Sequence, residues 1–214
     1  IVFDDADIDG AVEGVVDAIW FNQGQVCCAG SRLLVQEGIA PKFLARLRRR
    51  MQTLRVGQPL DKCIDMGAIV APVQLKRIEE LVNQGVEEGA EIYQAEIDLP
   101  KGGSFYRPTL LWNVQPTSIV ATEEIFGPVA PILSFHSEEE VIARCNGTPF
   151  GLSAYLFTRD VSRVYRVCES LEFGMVAVNV TSLSVPQAPF GGIKESGMGR
   201  EGGHHGLDEF LEVK

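Results

Sequence analysis

Short runs of almost uninterrupted apolar residues constrain this chain more than any other feature. Val129–Phe135, residues 152–157 and Met175–Val178 are each too short for a buried helix and too apolar to give one face to water. Such runs fit strands inside a sheet that is covered on both faces. The segments between them have helical spacing. Ser137 caps a helix that carries Val141 and Ile142, and Asp160 caps one that carries Val161, Val164, Val167 and Leu171. Upstream, Asp7 caps a helix through Val12, Val15, Val16 and Ile19. Pro41 opens a helix with Phe43, Leu44, Leu47, Met51 and Leu54 on its apolar side. Pro72 opens a third, with Leu75, Ile78, Leu81 and Val82 inside and Lys76, Arg77, Glu79 and Glu80 outside; Gly89 stops it. Residues 32–36 and a segment beginning at Ile92 read as further strands, and residues 22–25 as a Gly/Gln loop. Strands alternating with helices predict an α/β fold, a largely parallel open sheet with flanking helices. Functional loops in such sheets gather at the carboxyl ends of the strands.

The 214 residues suffice for one domain, or one with a piece of another. Nineteen basic against 29 acidic residues leave a net charge of −10, which argues against a nucleic-acid or anionic-membrane partner. No apolar run approaches the roughly 18–20 residues of a membrane span. Asp4, Asp5, Asp7 and Asp9 stand where a secretory leader would carry basic and then apolar residues, so no leader is expected here. Five cysteines are an odd number in a chain too long to need stapling, which predicts free thiols and a reducing, cytoplasmic setting. The chain opens at Ile1 without Met and stops just after an apolar-periodic stretch, as a piece of a longer protein would.

Several motifs have bland readings. Gly197, Gly199 and Gly202 spell G-x-G-x-x-G, but no strand precedes them and no acidic residue follows at about 20 positions, so a close-packed or flexible loop is the expectation. His204-His205 has no ligand partners at metal spacing, and no metal site is expected. Arg46, Arg48, Arg49 and Arg50 read as the solvated side of a helix. Cys63, Cys145 and Cys168 read as small buried hydrophobes.

Two clusters are less ordinary. Cys27-Cys28 sits among small, polar, Gly-rich neighbours, where backbone comes close to a ligand and N–H groups can be aimed at a thiolate or an oxyanion. A nucleophile and an inert thiol pair both fit that composition. Glu123-Glu124-Ile125-Phe126-Gly127-Pro128-Val129 sets two carboxylates before an aromatic residue and a turn. It reads equally as a solvated turn feeding a strand, or as an acceptor for ligand hydroxyls beside an apolar platform.

Taken in order, these clusters resemble the aldehyde dehydrogenase superfamily over essentially the whole chain. Phe21-Asn22-Gln23-Gly24-Gln25-Val26-Cys27-Cys28-Ala29-Gly30-Ser31-Arg32 resembles its cysteine motif, and residues 123–129 its E-E-x-F-G-P-V motif. Asn179 and Pro189-Phe190-Gly191-Gly192-Ile193-Lys194-Glu195-Ser196-Gly197 resemble its closing motif. Residues 1–88 look most like family 16 and related 2-type enzymes; from Pro149 onward the chain looks more like succinate-semialdehyde dehydrogenases.

The resemblance implies NAD(P)-dependent oxidation of an aldehyde to an acid. Cys27 matches the nucleophile, forming a thiohemiacetal and then a thioester, with its own N–H as an oxyanion donor. Glu124 matches the acceptor of the nicotinamide ribose hydroxyls, Phe126 a residue packed beside that ring, and Gln74 a further ribose contact. Phe21, Val26, Cys28 and Phe190 match the substrate tunnel, residues 181–185 its outer loop, and Glu201 an acid that relays protons in some members. The family's general base, its side-chain oxyanion donor and most of its nucleotide-binding domain lie upstream of the residue matched by Ile1. Its final strand, which pairs with a neighbouring subunit, lies beyond Lys214. Residues 1–214 therefore resemble the catalytic domain alone, taken from a parent homodimer or homotetramer, and the isolated chain is expected to be nearly inactive. Succinate-semialdehyde dehydrogenases generally carry Arg where Phe21 stands, so Phe21 implies an uncharged aldehyde tail. Two other classes of function stay open: a non-catalytic remnant of the fold, and a cofactor-independent thiol esterase working through Cys27.

Overall fold

A computed structural model describes residues 1–212 and 214. Helix α1 (Ile8–Trp20) starts at Asp7, whose carboxylate accepts from the Asp9 and Gly10 amides. That cap satisfies donors a helix start otherwise leaves unpaired. Strand β1 (Leu33–Gln36) and helix α2 (Ala40–Met51) follow, then α3 (Pro72–Glu87). Beyond Gly89, at φ +103°, come β2 (Glu91–Gln94) and β3 (Thr109–Trp112). The one-turn α4 (Ile119–Thr122) leads to β4 (Val129–Phe135) and α5 (Glu138–Asn146), capped by Ser137. Then come β5 (Phe150–Gly151), β6 (Ser153–Leu156), α6 (Val161–Ser170) capped by Asp160, β7 (Met175–Val178) and β8 (Ile193–Lys194).

The main sheet runs β2-β3-β4-β1, and β6-β7 forms a second ladder. Val2 joins the two. It bridges Val35 on one side and Phe157 on the other, both in parallel. The Val2 amide donates to Leu34 O at 2.8 Å, and the Phe157 amide donates to Ile1 O at 3.0 Å. The joined sheet is parallel throughout, except that β2 runs antiparallel to β3. The predicted architecture stands.

Alternation along each strand divides the core into two layers. Leu33, Val35, Ala130 and Ile132 face α1 and α2, meeting Val12, Val15, Val16, Ile19, Phe43, Leu44, Leu47 and Met51. Leu34, Val129, Leu133 and Phe135 face the other way, toward Ile78, Leu81 and Val82 of α3, Val141 and Cys145 of α5 and Val167 of α6. Helices on both faces explain why β4 is apolar almost without interruption.

Departures from the sequence reading are local. Strand β3 was not anticipated, yet it lies between β2 and β4; its four residues follow Pro108 and carry no turn signal of their own. Cys63 is exposed, not buried, and only Cys145 of the three bland cysteines is fully buried. Arg48 is half-buried, with its guanidinium 5.0 Å from the Tyr93 ring centroid. Arg46 and Arg50 pair with Asp9 and Glu13 of α1, tying the two helices together. No helix among the described residues is long and apolar enough to cross a membrane.

Candidate active site

The Cys27 loop is built on the end of α1. Trp20 is 1% exposed, and its indole Nε1 donates to the Pro128 carbonyl at 3.0 Å. A 3₁₀ turn (Phe21–Gly24) follows, with Asn22 at φ +47° and Gln23 at φ +49°. Left-handed backbone is costly for residues with a Cβ, so other contacts must impose it here. Gln23 Oε1 accepts from the Gly67 amide at 3.0 Å, Gln25 Oε1 accepts from the Val70 amide at 2.9 Å, and Asn22 Nδ2 donates to Gln25 O at 2.9 Å. The loop predicted at residues 22–25 is thus a pinned turn.

Gly24, at φ +73°, lies against the second motif. A Cβ there would fall 2.1 Å from the Gly127 carbonyl oxygen. No other residue fits. The chain then makes a tight turn over residues 26–29, with the Ala29 amide donating to Val26 O at 3.0 Å. Cys27 and Cys28 occupy its two central positions. Cys27 is exposed and Cys28 half-buried. Burial pushes the Cys28 thiol above the usual cysteine range.

Glu124 and Phe126 lie on the loop between α4 and β4. Glu123 pairs with Arg77 at 3.5 Å, while Glu124 is exposed and makes no ion pair among the described residues. Phe126 sits at φ +51°. Gln74, in the first turn of α3, holds that strained residue: its Nε2 donates to Ile125 O at 3.0 Å and Phe126 O at 3.1 Å. Both bonds use the amide nitrogen, so only the Gln74 oxygen is left for a ligand.

Cys27, Glu123 and Glu124 share the wall of one cavity of about 410 Å³, together with Arg32, Tyr155, Thr181 and Glu195. Arg32 is turned aside, donating to the Cys145 carbonyl at 3.2 Å. Phe21, Val26, Cys28 and Phe190 do not line this cavity, nor do Gln74, Phe126 and Glu201. Phe21 is 69% exposed. Phe190 and Glu201 are brought together by paired backbone hydrogen bonds of 2.7 and 2.8 Å across the closing loop.

That closing loop is no phosphate cradle. A Cβ on Gly199 would lie 2.7 Å from the Glu209 carboxylate, so an anion already fills the space. Arg200 holds the loop from inside, donating to Gly192 O and Gly199 O. His205 lies 3.5 Å from Asp208 at the surface, and no group of three or more His, Cys, Asp or Glu converges among the described residues. The sequence reading missed Tyr155. Its only signal was an aromatic residue with a hydroxyl inside an otherwise apolar strand, which needs a polar partner.

The aldehyde dehydrogenase family model matches residues 1–214. The chain is 42% identical to the succinate-semialdehyde dehydrogenase [NADP(+)] GabD of Escherichia coli K12, over all of this chain and 44% of that protein. It is 44% identical to the mitochondrial succinate-semialdehyde dehydrogenase of Oryza sativa, over all of this chain and 41% of that protein. A crystal structure of Staphylococcus aureus betaine aldehyde dehydrogenase in complex with NAD+ superposes with a TM-score of 0.95 at 35% identity, covering all of this chain and 43% of that one. The chain thus spans less than half the length of these relatives. By its family match over residues 1–214, and by the fold it shares with these relatives, the chain belongs to the aldehyde dehydrogenase family.

Proposed function

We propose that residues 1–214 are the cysteine-bearing catalytic domain of a longer NAD(P)-dependent aldehyde dehydrogenase. One observation carries the reading: Cys27 and Glu124, far apart in sequence, share the wall of one cavity. A free carboxylate suits a pair of ribose hydroxyls, and an exposed thiol suits an electrophilic carbonyl. When bound, the nicotinamide supplies the hydride acceptor. The chain's own residues supply the rest. Cys27 Sγ adds to the aldehyde carbon, and the thiohemiacetal oxygen is held by the Cys27 backbone N–H. Loss of hydride leaves a thioester on Cys27, which water cleaves to release the acid. Glu124 orients the cofactor, and Phe126 packs beside it.

GabD and its rice counterpart are succinate-semialdehyde dehydrogenases. Here Phe21 stands exposed just ahead of the cysteine turn. An aromatic ring at that place favours an aldehyde with an uncharged tail, with Val26, Cys28 and Phe190 as further tunnel walls and Glu201 as a proton relay. The general base, most of the nucleotide site and the subunit-pairing strand come from outside residues 1–214. The parent enzyme is a cytoplasmic homodimer or homotetramer, and this chain alone forms little NADH.

The test is site-resolved alkylation of the five cysteines by limiting iodoacetamide near pH 7, read by peptide mass spectrometry with and without NAD. Cys27 is expected to react at least tenfold faster than Cys28, Cys63, Cys145 and Cys168, and NAD to change its rate unless Glu124→Gln is present. Equal rates at all five thiols would overturn the reading.

A further inference from the structure

Tyr155 stands on β6, 8% exposed, with its backbone in register with Ala177 of β7. Its carbonyl accepts from the Ile1 amine at 2.7 Å. The side chain leaves this rigid position and reaches the cysteine turn. Its hydroxyl donates to the Cys28 carbonyl oxygen at 2.6 Å, across 127 residues of sequence. Ala29 donates to Val26 within the turn, Ser31 bonds back to Ala29, and Gly30 just after it donates to Ala18 of α1. Among the described residues, the Tyr155 contact ties the peptide after Cys28 to the central sheet.

A two-residue turn has a known weakness. Its central peptide can rotate between two families of turn with little change at the ends, because the first and fourth residues keep their places. In this turn the central peptide joins Cys27 to Cys28, so rotation would re-aim the intervening N–H and alter the backbone on which both thiols sit. A donor fixed on the sheet and directed at the Cys28 carbonyl holds the next peptide, the one that closes the turn, and so limits how far Cys28 and the turn can move relative to the sheet. The pair is also asymmetric in the structure. Cys27 is exposed, while Cys28 is half-buried, with its thiol pushed up by burial. Tyr155 itself lines the cavity that holds Cys27, so its hydroxyl acts at the floor of the same chamber.

We propose that Tyr155 is the positioning residue of the nucleophile: by holding the Cys28 carbonyl it sets the turn in which Cys27, and not Cys28, faces the substrate. This rests on the reading of Cys27 as the nucleophile. Tyr155 touches neither substrate nor cofactor in this role; it acts through the turn.

The experiment compares the alkylation-rate ratio of Cys27 to Cys28, and the pH midpoint of Cys27 alkylation, in the wild-type chain and in Tyr155→Phe. Circular dichroism reports whether each variant is folded. Wild type is expected to show a ratio of ten or more. A wild-type ratio near one would sink the nucleophile reading itself. In folded Y155F the ratio is expected to fall at least fivefold and the Cys27 midpoint to move. 4-Aminophenylalanine in place of Tyr155 keeps a donor at the ring end, and is expected to restore both. Should Y155F not fold, 4-fluorophenylalanine at position 155 fills the hydroxyl's space without donating, and is expected to lower the ratio in the same way. An unchanged ratio and midpoint in a folded, donor-free variant would overturn the proposal while leaving the nucleophile reading intact.

Discussion

Single residues at this site are constrained by backbone more than by charge. At Gly24, an added methyl would meet the Gly127 oxygen, and the left-handed conformation at φ +73° excludes side chains on its own account. Gly24→Ala is expected to cost at least about 1–2 kcal/mol from the conformation alone, with more from the clash. A urea titration should show an earlier midpoint, and Cys27 should lose its alkylation advantage in the folded fraction. Trp20→Phe tests the neighbouring anchor. It keeps most of the buried ring but removes the Trp20 Nε1 bond to the Pro128 carbonyl, which retains the Thr109 amide as a second donor. One hydrogen bond contributes about 0.5–1.5 kcal/mol net, so a modestly lower thermal midpoint is expected. Gly24 lies within the motif legible in sequence, and Trp20 stands just ahead of it. Neither contact was legible, because a glycine's neighbour and an indole's partner are set by tertiary folding and leave no local pattern.

Elements place the site by holding two loops against each other. Helix α3 contributes Gln74, which grips the strained Phe126 loop through two carbonyls. Gln74→Leu removes both bonds and is expected to cost about 1–3 kcal/mol. Hydrogen exchange should show faster opening confined to residues 123–129, because the core of α3 is untouched. The same observation refines the expected cofactor role of Gln74: it supports the loop that carries Glu124, with its oxygen alone free for a ligand. Elements with strong periodicity were legible in sequence, including the Asp7, Ser137 and Asp160 caps and the bounds of β4 and β7. Strand β3 was not, since four residues behind a proline carry too little pattern to mark a strand, and its partners on both sides define it. The antiparallel edge strand β2 was readable as a strand but not in its direction, which depends on that missing neighbour.

Across the whole molecule, the N-terminal segment is tied to the start of α6 by charge. Asp5 accepts from the Thr158 hydroxyl, the Arg159 and Asp160 amides, and Arg163. Burial pushes its carboxyl pKa up, but those hydrogen bonds and the Arg163 charge outweigh it, so the pKa lies below the ordinary aspartate value. A carboxyl depressed on folding adds stability that is fully present above its unfolded pKa, near ~3.9, and is lost as pH falls through the folded value. Asp5→Asn is therefore expected to lower the urea midpoint at pH 7 and to narrow its drop between pH 5 and pH 2. An unchanged pH slope in the variant would remove Asp5 from that account.

The strip formed by Ile1, Val2 and Phe3 has a mechanical consequence. It is a three-residue seam in the middle of the sheet, stitched on one side to Leu34 and Gln36 and on the other to Tyr155 and Phe157. Ile1 and Val2 also floor the chamber that contains Cys27. A sheet under load parts where the fewest stitches cross it, and here that line runs beneath the reactive thiol. Loosening the seam separates β1 from β6 and removes the chamber floor in a single event. The share of molecules able to present Cys27 is then governed by the cohesion of the entire sheet, and a protease that senses the opened seam would count the same molecules that have lost their chemistry.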